Sequence, residues 1–167
     1  MEKASSTLYV AGTQLNCSVI NPCVGMAILI SLRLGATGMR SFYICSHCKT
    51  DNLGGLEETT GGSAVAGDSR LDAALREVKE ELGLVLFPES GRLFHSYVNK
   101  GFNGYKGFTD VWVFDSDCSL EDVVLQESET CDVMWASGDK IREMVENGEF
   151  IGCEIYPYLD KLLGYEV

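Results

Sequence analysis

The sequence has few basic residues relative to its acidic ones. It contains 13 lysines and arginines against 25 aspartates and glutamates, for a formal net charge of −12 at pH 7, and the basic residues form no stripe along the chain. Such a protein repels nucleic acid phosphates and anionic lipid, so we expect no nucleic acid and no membrane partner. If the partner is nevertheless a polyanion, a divalent metal is the simplest cation to stand between the two.

Long apolar runs and an export signal are also lacking. The longest apolar run, residues 24–32, includes a glycine and a serine and is far shorter than the ~20 residues that a helix needs to cross a bilayer. No basic region followed by an apolar region and a small-residue cleavage site opens the chain. The seven cysteines are an odd number and cannot all pair, and a chain of 167 residues needs no disulfides to fold. We therefore expect a reduced, cytoplasmic protein.

The length of the chain and its fractions of hydrophobic and charged residues predict one packed domain. Hydrophobic residues make up 46% of the chain and charged residues 23%, which is typical of a globular protein with a real core. A chain of 167 residues suits a single domain, and we expect that domain to cover residues 1–167.

Apolar periodicity and turn residues predict a mixed set of strands and helices. Strands recur without a repeating strand-helix-strand period, which favours an α/β sandwich with a mixed sheet over a doubly wound sheet. Glycines interrupt residues 35–67 and predict a long loop there, with one short strand-like piece at 42–44. The other predicted strands are 8–10, 26–34, 92–98, 108–114 and 133–135, and the predicted helices are 69–82, 137–147 and 157–163.

The predicted helix over residues 69–82 has an acidic face. At about 100° per residue its apolar side chains fall on one stripe, whereas Glu77, Glu80 and Glu81 share another arc of about 100°. Carboxylates at this spacing repel each other by roughly a few tenths of a kcal/mol per pair. A helix selected only for stability would avoid that repulsion, so the acidic face indicates a site for a cationic ligand.

A hard divalent cation would remove the repulsion, because carboxylate oxygens are the ligands that Mg²⁺ and Mn²⁺ prefer. Gly61 and Gly62 lie just before the helix, where they let the backbone approach a metal or a phosphate closely. The alternative is a solvated face on which Arg76 and Glu80 form an ordinary i,i+4 ion pair. The spacing of loop and helix together decides between these interpretations.

This segment resembles the signature of the Nudix hydrolase family. The signature reads Gly, five residues, Glu, seven residues, Arg-Glu, an apolar residue, any residue, Glu-Glu, any residue, Gly and an apolar residue. Gly62 and the run from Arg76 to Leu84 match it at the right spacing, so the Nudix box covers residues 62–84. Asp68 stands where the family has Glu. That position normally supports the loop beneath the metal site, so we expect the shorter carboxylate to weaken an anchoring contact without removing a ligand.

The resemblance implies a Nudix-type α/β/α sandwich with a mixed β-sheet that uses Mg²⁺ or Mn²⁺ to hydrolyse a diphosphate linkage. The implied substrate is a small molecule, either a nucleoside diphosphate derivative or a related organic diphosphate. Carried over, Glu77, Glu80 and Glu81 are metal-ligand and catalytic candidates, the carbonyl of Gly61 is a further ligand, and Arg76 orients Glu77. The metal neutralises the diphosphate and activates a water, while a carboxylate takes the proton. A homodimer is left open.

Many members of this family place one more Glu in a loop before the last strand. Glu127 and Glu129 precede the predicted strand at 133–135, and Glu129, which is closer to it, is the catalytic candidate. The alternative is a solvated acidic loop. Ahead of the glycine pair, the run Glu-Glu-Thr-Thr at 57–60 stands where many relatives have an aromatic residue and a proline, so the local substrate pocket departs from the family pattern.

Two alternatives from other functional classes stay open. The run Cys45-Ser46-His47-Cys48 is half of a zinc site with no second half, and isopentenyl-diphosphate isomerases place a Cys-Ser-His sequence ahead of a degenerate box. The flanking residues of that isomerase motif are missing here. The second alternative is a non-catalytic nucleotide-binding Nudix domain, for which Asp68 and the upstream loop are the hints.

Overall fold

The structure, a computed structural model, describes residues 7–10, 13–16, 24–34, 39–47, 56–65, 67–99, 107–152 and 156–163. In this part of the chain the strands are β1 Thr7–Val10, β2 Thr13–Asn16, β3 Val24–Leu34, β4 Met39–His47, β5 Glu57–Glu58, β6 Gly61–Ser63, β7 Gly91–Asn99, β8 Gly107–Asp115 and β9 Thr130–Ser137. The α-helices are α1 Arg70–Leu82, α2 Gly138–Glu146 and α3 Leu159–Leu163. Short 3₁₀ turns lie at Pro88–Ser90 and Leu120–Asp122.

A mixed sheet organises most of these elements. Its central strands run in the order β5-β4-β3-β8-β7, β6 pairs with β3, and β9 pairs with β4. The β3–β8 pair is parallel, whereas the other pairs in this sheet are antiparallel. Strands β1 and β2 form a separate antiparallel pair. Because β3 pairs with both β8 and β6, the glycine pair is anchored to the middle of the sheet.

The two faces of the sheet pack against different helices. Successive strand residues point to opposite faces, and β8 shows this clearly. Its Val111 and Val113 belong to a core with residues of α2 and α3, whereas Phe114 packs in a second core with residues of α1. The result is a helix layer on each side of a mixed sheet.

Several sequence predictions hold. The helix predicted over 69–82 is α1, with Ser69 as its N-cap and Gly83 as its C-cap. The strands predicted over 92–98 and 108–114 are the antiparallel pair β7 and β8. The strand at 133–135 and the helix at 137–147 are β9 and α2 within a few residues. α3 begins at Leu159, later than the predicted helix over 157–163, because residues 157–158 form a turn.

The strand-like piece predicted at 42–44 lies within β4, but the long loop predicted for the rest of 35–67 is wrong where the structure describes it. β4, β5 and β6 all lie inside it, and β4 is nine residues long. β4 pairs with β3 and β5 along one edge and with β9 along the other. Hydrogen bonds to distant strands therefore stabilise a segment whose own glycine-rich flanks indicate a loop. β2 was likewise not predicted.

The cysteines also differ from expectation. Cys131 is disulfide-bonded, so the prediction of a fully reduced chain is wrong at this residue, whereas Cys118 is not part of a disulfide. Cys48 lies outside the described residues, and for Cys45 only the backbone is described. Within the part of the chain that is described, no helix is long and apolar enough to span a membrane.

Candidate active site

Gly62 fits the site because it has no side chain. Gly61–Ser63 pairs with β3, and a Cβ atom added to Gly62 would lie 2.1 Å from the carboxylate carbon of Glu77. The backbone N–H of Ser63 donates a hydrogen bond to Glu77, and that of Gly61 donates to Glu81. The loop strand therefore presents two amides to two of the predicted ligands.

Caps and apolar contacts at both ends hold α1 in register with that strand. The Ser69 hydroxyl accepts the N–H of Asp72 at 3.1 Å, and Gly83 ends the helix with φ +68° while its N–H donates to the Lys79 carbonyl. Ala73, Ala74, Val78 and Leu82 are fully buried against the sheet. The packed stripe thus sets the direction in which the acidic side chains leave the helix.

Arg76 connects the loop to the acidic face of α1. Its Nη1 lies 2.9 Å from both Glu77 Oε1 and Glu80 Oε2, and its Nη2 donates to the Ser63 carbonyl at 3.0 Å. The Nε donates to Asp68 Oδ2 at 3.3 Å, which is at the long end for a hydrogen bond. Arg76 is therefore in contact with Glu77, as the resemblance implies, and the shorter side chain of Asp68 still reaches it.

Glu81 is the most buried of the three helix glutamates. Only 3% of it is exposed, and its Oε2 is a buried atom with no hydrogen-bond partner. Burial, followed by the nearby charges of Glu77, Glu129 and Glu58, raises the pKa of Glu81 to about 8, although the Gly61 N–H works in the opposite direction. A lone buried carboxyl with this surrounding charge is costly unless something cationic joins it.

Glu77 and Glu80 differ from Glu81 in their surroundings. The side chain of Glu77 is 12% exposed, and burial raises its pKa against the opposing effect of Arg76. Glu80 is 53% exposed and is held by Arg76. The three carboxylates that share one arc of the predicted helix therefore differ in exposure, because Glu81 turns inward while Glu80 faces solvent.

A tight turn brings Glu129 to this cluster. The N–H of Gln126 donates to the Glu81 carbonyl at 3.0 Å, and the N–H groups of Glu129 and Thr130 both return to the Gln126 carbonyl at 2.9 Å. The Gln126 side-chain amide contacts Glu129 Oε1 at 3.3 Å. Glu129 is among the charges that act on Glu81.

The donor chemistry fits Mg²⁺ or Mn²⁺. Among the residues that the structure describes, no three His, Cys, Asp or Glu side chains already form a cluster ready to hold a metal ion. Arg76 instead forms ion pairs with Glu77 and Glu80. Beside them, Oε2 of Glu81 is a buried oxygen without a hydrogen-bond partner that could ligate a metal ion. These are hard oxygen donors around an unsatisfied buried atom, which is the donor set that such a cation requires.

Sequence reasoning assigned no role to two other groups near the site. Glu58 is buried and accepts a hydrogen bond from the hydroxyl of Tyr156 at 2.5 Å. Its only sequence signal was the departure from the family pattern at 57–60. Asp110 is buried on β8 and holds Arg70, the first residue of α1, in an ion pair. Neither pairing follows from spacing, because the partners are far apart in the chain.

Comparison with known proteins shows the family to which the chain belongs. The family model described as NUDIX domain matches residues 37–157, which is more than half of the chain. The chain belongs to the NUDIX domain family. The match covers the whole Nudix box, the turn that carries Glu129, and Tyr156.

Two curated Nudix relatives match a central part of the chain. An uncharacterized Nudix hydrolase of Listeria innocua is 37% identical over 93 residues, which are 56% of this chain and 52% of the relative. A second one, from Listeria monocytogenes, is 33% identical over 93 residues with the same coverage. The chain therefore spans about half the length of the curated relatives it matches.

Solved Nudix structures share the fold. A MutT protein from Methanosarcina mazei has a TM-score of 0.65 at 20% identity and covers 89% of this chain and 100% of its own. A Caenorhabditis elegans Ap4A hydrolase binary complex scores 0.60 at 16% identity, covering 84% and 94%. The NUDIX domain of Shewanella oneidensis NrtR, complexed with ADP ribose, scores 0.65 at 11% identity, covering 84% and 86%. The predicted Nudix-type α/β fold is confirmed.

Proposed function

We propose that this Nudix domain hydrolyses a diphosphate linkage in a nucleoside diphosphate derivative or a related organic diphosphate, and that it depends on Mg²⁺ or Mn²⁺. The observation that supports this most is the buried Glu81 carboxyl, with one unsatisfied oxygen and three acidic neighbours. Such an arrangement destabilises the fold and is explained by a cation that binds there.

Each residue of the proposed site has a separate task. Glu77, Glu80, Glu81 and the Gly61 carbonyl would hold the metal, which when bound neutralises diphosphate charge and lowers the pKa of a water molecule. Arg76 keeps Glu77 in place through its 2.9 Å contact. We assign Glu129 to the reaction as well, because it is exposed at the edge of the cluster and can take a proton from water.

The substrate class is inferred from charge and from two neighbours in the structure comparison. A protein with a net charge of −12 repels a free diphosphate, which favours a substrate that arrives with its divalent cation. The neighbours that share this fold include an Ap4A hydrolase and a domain complexed with ADP ribose, and both ligands contain linked phosphates. We extend only that shared diphosphate chemistry to this chain.

A substrate panel tests the proposal. Nucleoside triphosphates, ADP-ribose, dinucleotide polyphosphates and isopentenyl diphosphate are incubated with the protein in Mg²⁺ and in Mn²⁺, and products are separated chromatographically. We expect cleavage of at least one nucleotide substrate, lost on chelation and lowered about 100-fold or more by Glu80→Gln and by Glu81→Gln. Lys79→Gln is the control, because Lys79 is exposed on the same helix turn and contributes only its backbone carbonyl.

The same panel separates the alternatives. Conversion of isopentenyl diphosphate that is lost in Cys45→Ala or Cys48→Ala would establish the isomerase. Tight nucleotide binding in calorimetry without turnover in either metal would establish a non-catalytic binding domain. Either result contradicts the hydrolase proposal.

Three further expectations belong with this proposal and stay predictions. We place the protein in the cytoplasm, we treat residues 1–167 as one domain, and we leave a homodimer open. Gel filtration together with limited proteolysis tests the last two, because a one-domain chain resists internal cleavage.

A further inference from the structure

The C-terminal segment is attached to the strand that leads into the glycine pair. The N–H of Glu57 donates to the Glu149 carbonyl at 2.8 Å, and the N–H of Ile151 donates to the Glu57 carbonyl at 3.1 Å. The partners are joined through the backbone, so this attachment does not depend on side-chain identity. It brings the turn that contains Tyr156 and Tyr158 against residues 58 and 59.

The hydroxyls of these two tyrosines contact residues 58 and 59, where β5 ends and the chain continues toward the glycine pair. Tyr156 donates to Glu58 Oε2 at 2.5 Å, and the hydroxyls of Tyr158 and Thr59 lie 3.3 Å apart. Tyr158 is fully buried, and its ring stacks on that of Tyr156 with 5.3 Å between centroids. Burial raises the pKa of both phenols, so both keep their protons at neutral pH and act as hydroxyls.

Glu58 and Thr59 are only a few residues from the amides that hold the acidic cluster. The Gly61 N–H donates to Glu81 and the Ser63 N–H donates to Glu77. A shift of residues 58 and 59 would therefore move the backbone amides that hold both carboxylates. A path of direct contacts therefore runs from the tyrosine hydroxyls through residues 58–63 to the proposed ligands.

We propose that Tyr156 and Tyr158 are positioning residues, whose hydroxyls fix Glu58 and Thr59 and thereby set the Gly61–Ser63 backbone against Glu77 and Glu81. The inference rests on the proposed function, since it concerns the geometry of that same metal site. Neither tyrosine belongs to the Nudix box at 62–84, and both lie almost 100 residues away from their partners.

Phenylalanine variants test the hydroxyls while keeping the rings. We expect Tyr156→Phe to weaken Mn²⁺ binding about tenfold and Tyr158→Phe about threefold, because the first loses a hydrogen bond to a carboxylate and the second a neutral one. Binding is measured by the electron paramagnetic resonance signal of free Mn²⁺. At limiting Mn²⁺ kcat should fall in the same order, and excess Mn²⁺ should restore it, which a purely structural defect would not allow.

Tyr97→Phe is the matched control. Tyr97 is half-buried, hydrogen-bonded to Thr109 and in ring contact with His95 and Tyr158, and none of these partners lies in residues 57–63. It should bind Mn²⁺ like the wild type. If a Phe variant does not fold, Thr59→Val removes the hydroxyl that contacts Tyr158 and also hydrogen-bonds Tyr156, and it should weaken Mn²⁺ binding at least about threefold.

The outcomes separate the two proposals. In one outcome the wild type binds Mn²⁺ and turns over substrate, and all three test variants have the Mn²⁺ affinity of Tyr97→Phe. The positioning role is then wrong and the proposed function stands. If neither wild type nor Tyr97→Phe binds Mn²⁺ or cleaves any substrate, the proposed function fails and the positioning role fails with it.

Discussion

Glu81 shows how a single side chain can work against stability. It is buried, it neighbours other carboxylates, and its pKa is raised to about 8 by burial first and then by Glu77 and Glu129. The folded protein therefore keeps a proton on Glu81 that the unfolded chain releases near pH 4.5. Folding therefore becomes less favourable as the pH rises and the unfolded chain loses this proton while the folded protein keeps it.

This gives a pH-dependent prediction for the metal-free protein. From about pH 4.5 to about pH 8, the contribution of Glu81 to the free energy of unfolding should fall by about 1.4 kcal/mol per pH unit. Below this interval the group is protonated in both states and has no effect. Urea unfolding of wild type and Glu81→Gln in the presence of a chelator measures this contribution. Because the variant has no carboxyl to ionise at this position, its free energy of unfolding relative to wild type should rise with pH.

A constant difference between the two proteins across this pH range would contradict the prediction. Glu80→Gln is the control, because Glu80 is exposed and held by Arg76, so its substitution should give no comparable trend.

Arg76 gives a second residue-level prediction. Its three guanidinium nitrogens together contact Asp68, Glu77, Glu80 and the Ser63 carbonyl, which one ammonium group cannot reproduce. Arg76→Lys should lower kcat/KM by about tenfold or more while the Tm shifts little. Steady-state kinetics and a thermal melt measure the two effects.

The matched control for Arg76→Lys is Arg142→Lys. Arg142 likewise joins a carboxylate, that of Asp139 at 2.6 Å, and a backbone carbonyl, that of Leu163 at 2.5 Å, but it lies on α2. Equal losses of kcat/KM in the two variants would show that Arg76 has no special role.

The sequence predicted which glutamates matter but not how they differ. On the helical projection Glu81 lies about 80° from the centre of the apolar stripe, nearer to it than Glu77 or Glu80. That position allows burial but does not require it. The burial comes from the Gly61 strand and the Gln126 turn, which are distant in sequence and pack over Glu81. No local pattern encodes such a contact.

At the scale of elements, the approach of β6 to α1 determines the site. The space for a Cβ at Gly62 is filled by the Glu77 carboxylate, which would lie 2.1 Å away. Gly62→Ala should therefore displace Glu77 from the Ser63 N–H and lower kcat about 100-fold, with the strand pairing to β3 retained. Kinetics at saturating Mn²⁺ and circular dichroism test this.

Gly138→Ala is the control for that variant. Gly138 begins α2, and a Cβ there would meet its nearest atom at 3.6 Å, an ordinary contact. It should keep full activity and gain up to about 1 kcal/mol of stability from the better helix propensity of alanine. A Gly62→Ala protein as active as Gly138→Ala would show that the close approach does not matter.

Elements with a strong local signal were predicted well, and those held by distant partners were not. α1 combines a Ser69 cap, an apolar stripe and a terminal Gly83, so its bounds followed from the sequence. β5 and β6 are two and three residues long, too short to show a period of two, and exist because β4 and β3 pair with them. Turn glycines nearby made the same segment look like a loop.

At the scale of the whole molecule, the sheet separates the proposed chemistry from a second core. Ile141 and Met144 of α2 are buried on the face opposite α1. Ile141→Ala should cost about 2–5 kcal/mol of unfolding free energy and leave Mn²⁺ affinity unchanged in the folded protein. Denaturant unfolding measures the loss of stability, and Mn²⁺ titration at denaturant concentrations where the protein is still folded measures the affinity. A loss of Mn²⁺ affinity alongside the loss of stability would contradict the separation of the two faces.

We propose that Glu81 and the carboxylates beside it hold a divalent cation, and Mn²⁺ titration followed by electron paramagnetic resonance tests this most directly. Wild type, Glu81→Gln and Lys79→Gln are titrated at about pH 6.5 and about pH 8.5, because binding at Glu81 must displace its proton. We predict that wild type and Lys79→Gln bind Mn²⁺ more tightly at the higher pH, and that Glu81→Gln binds at least about tenfold more weakly without that pH dependence. Equal Mn²⁺ affinity in all three proteins at both pH values would contradict the claim.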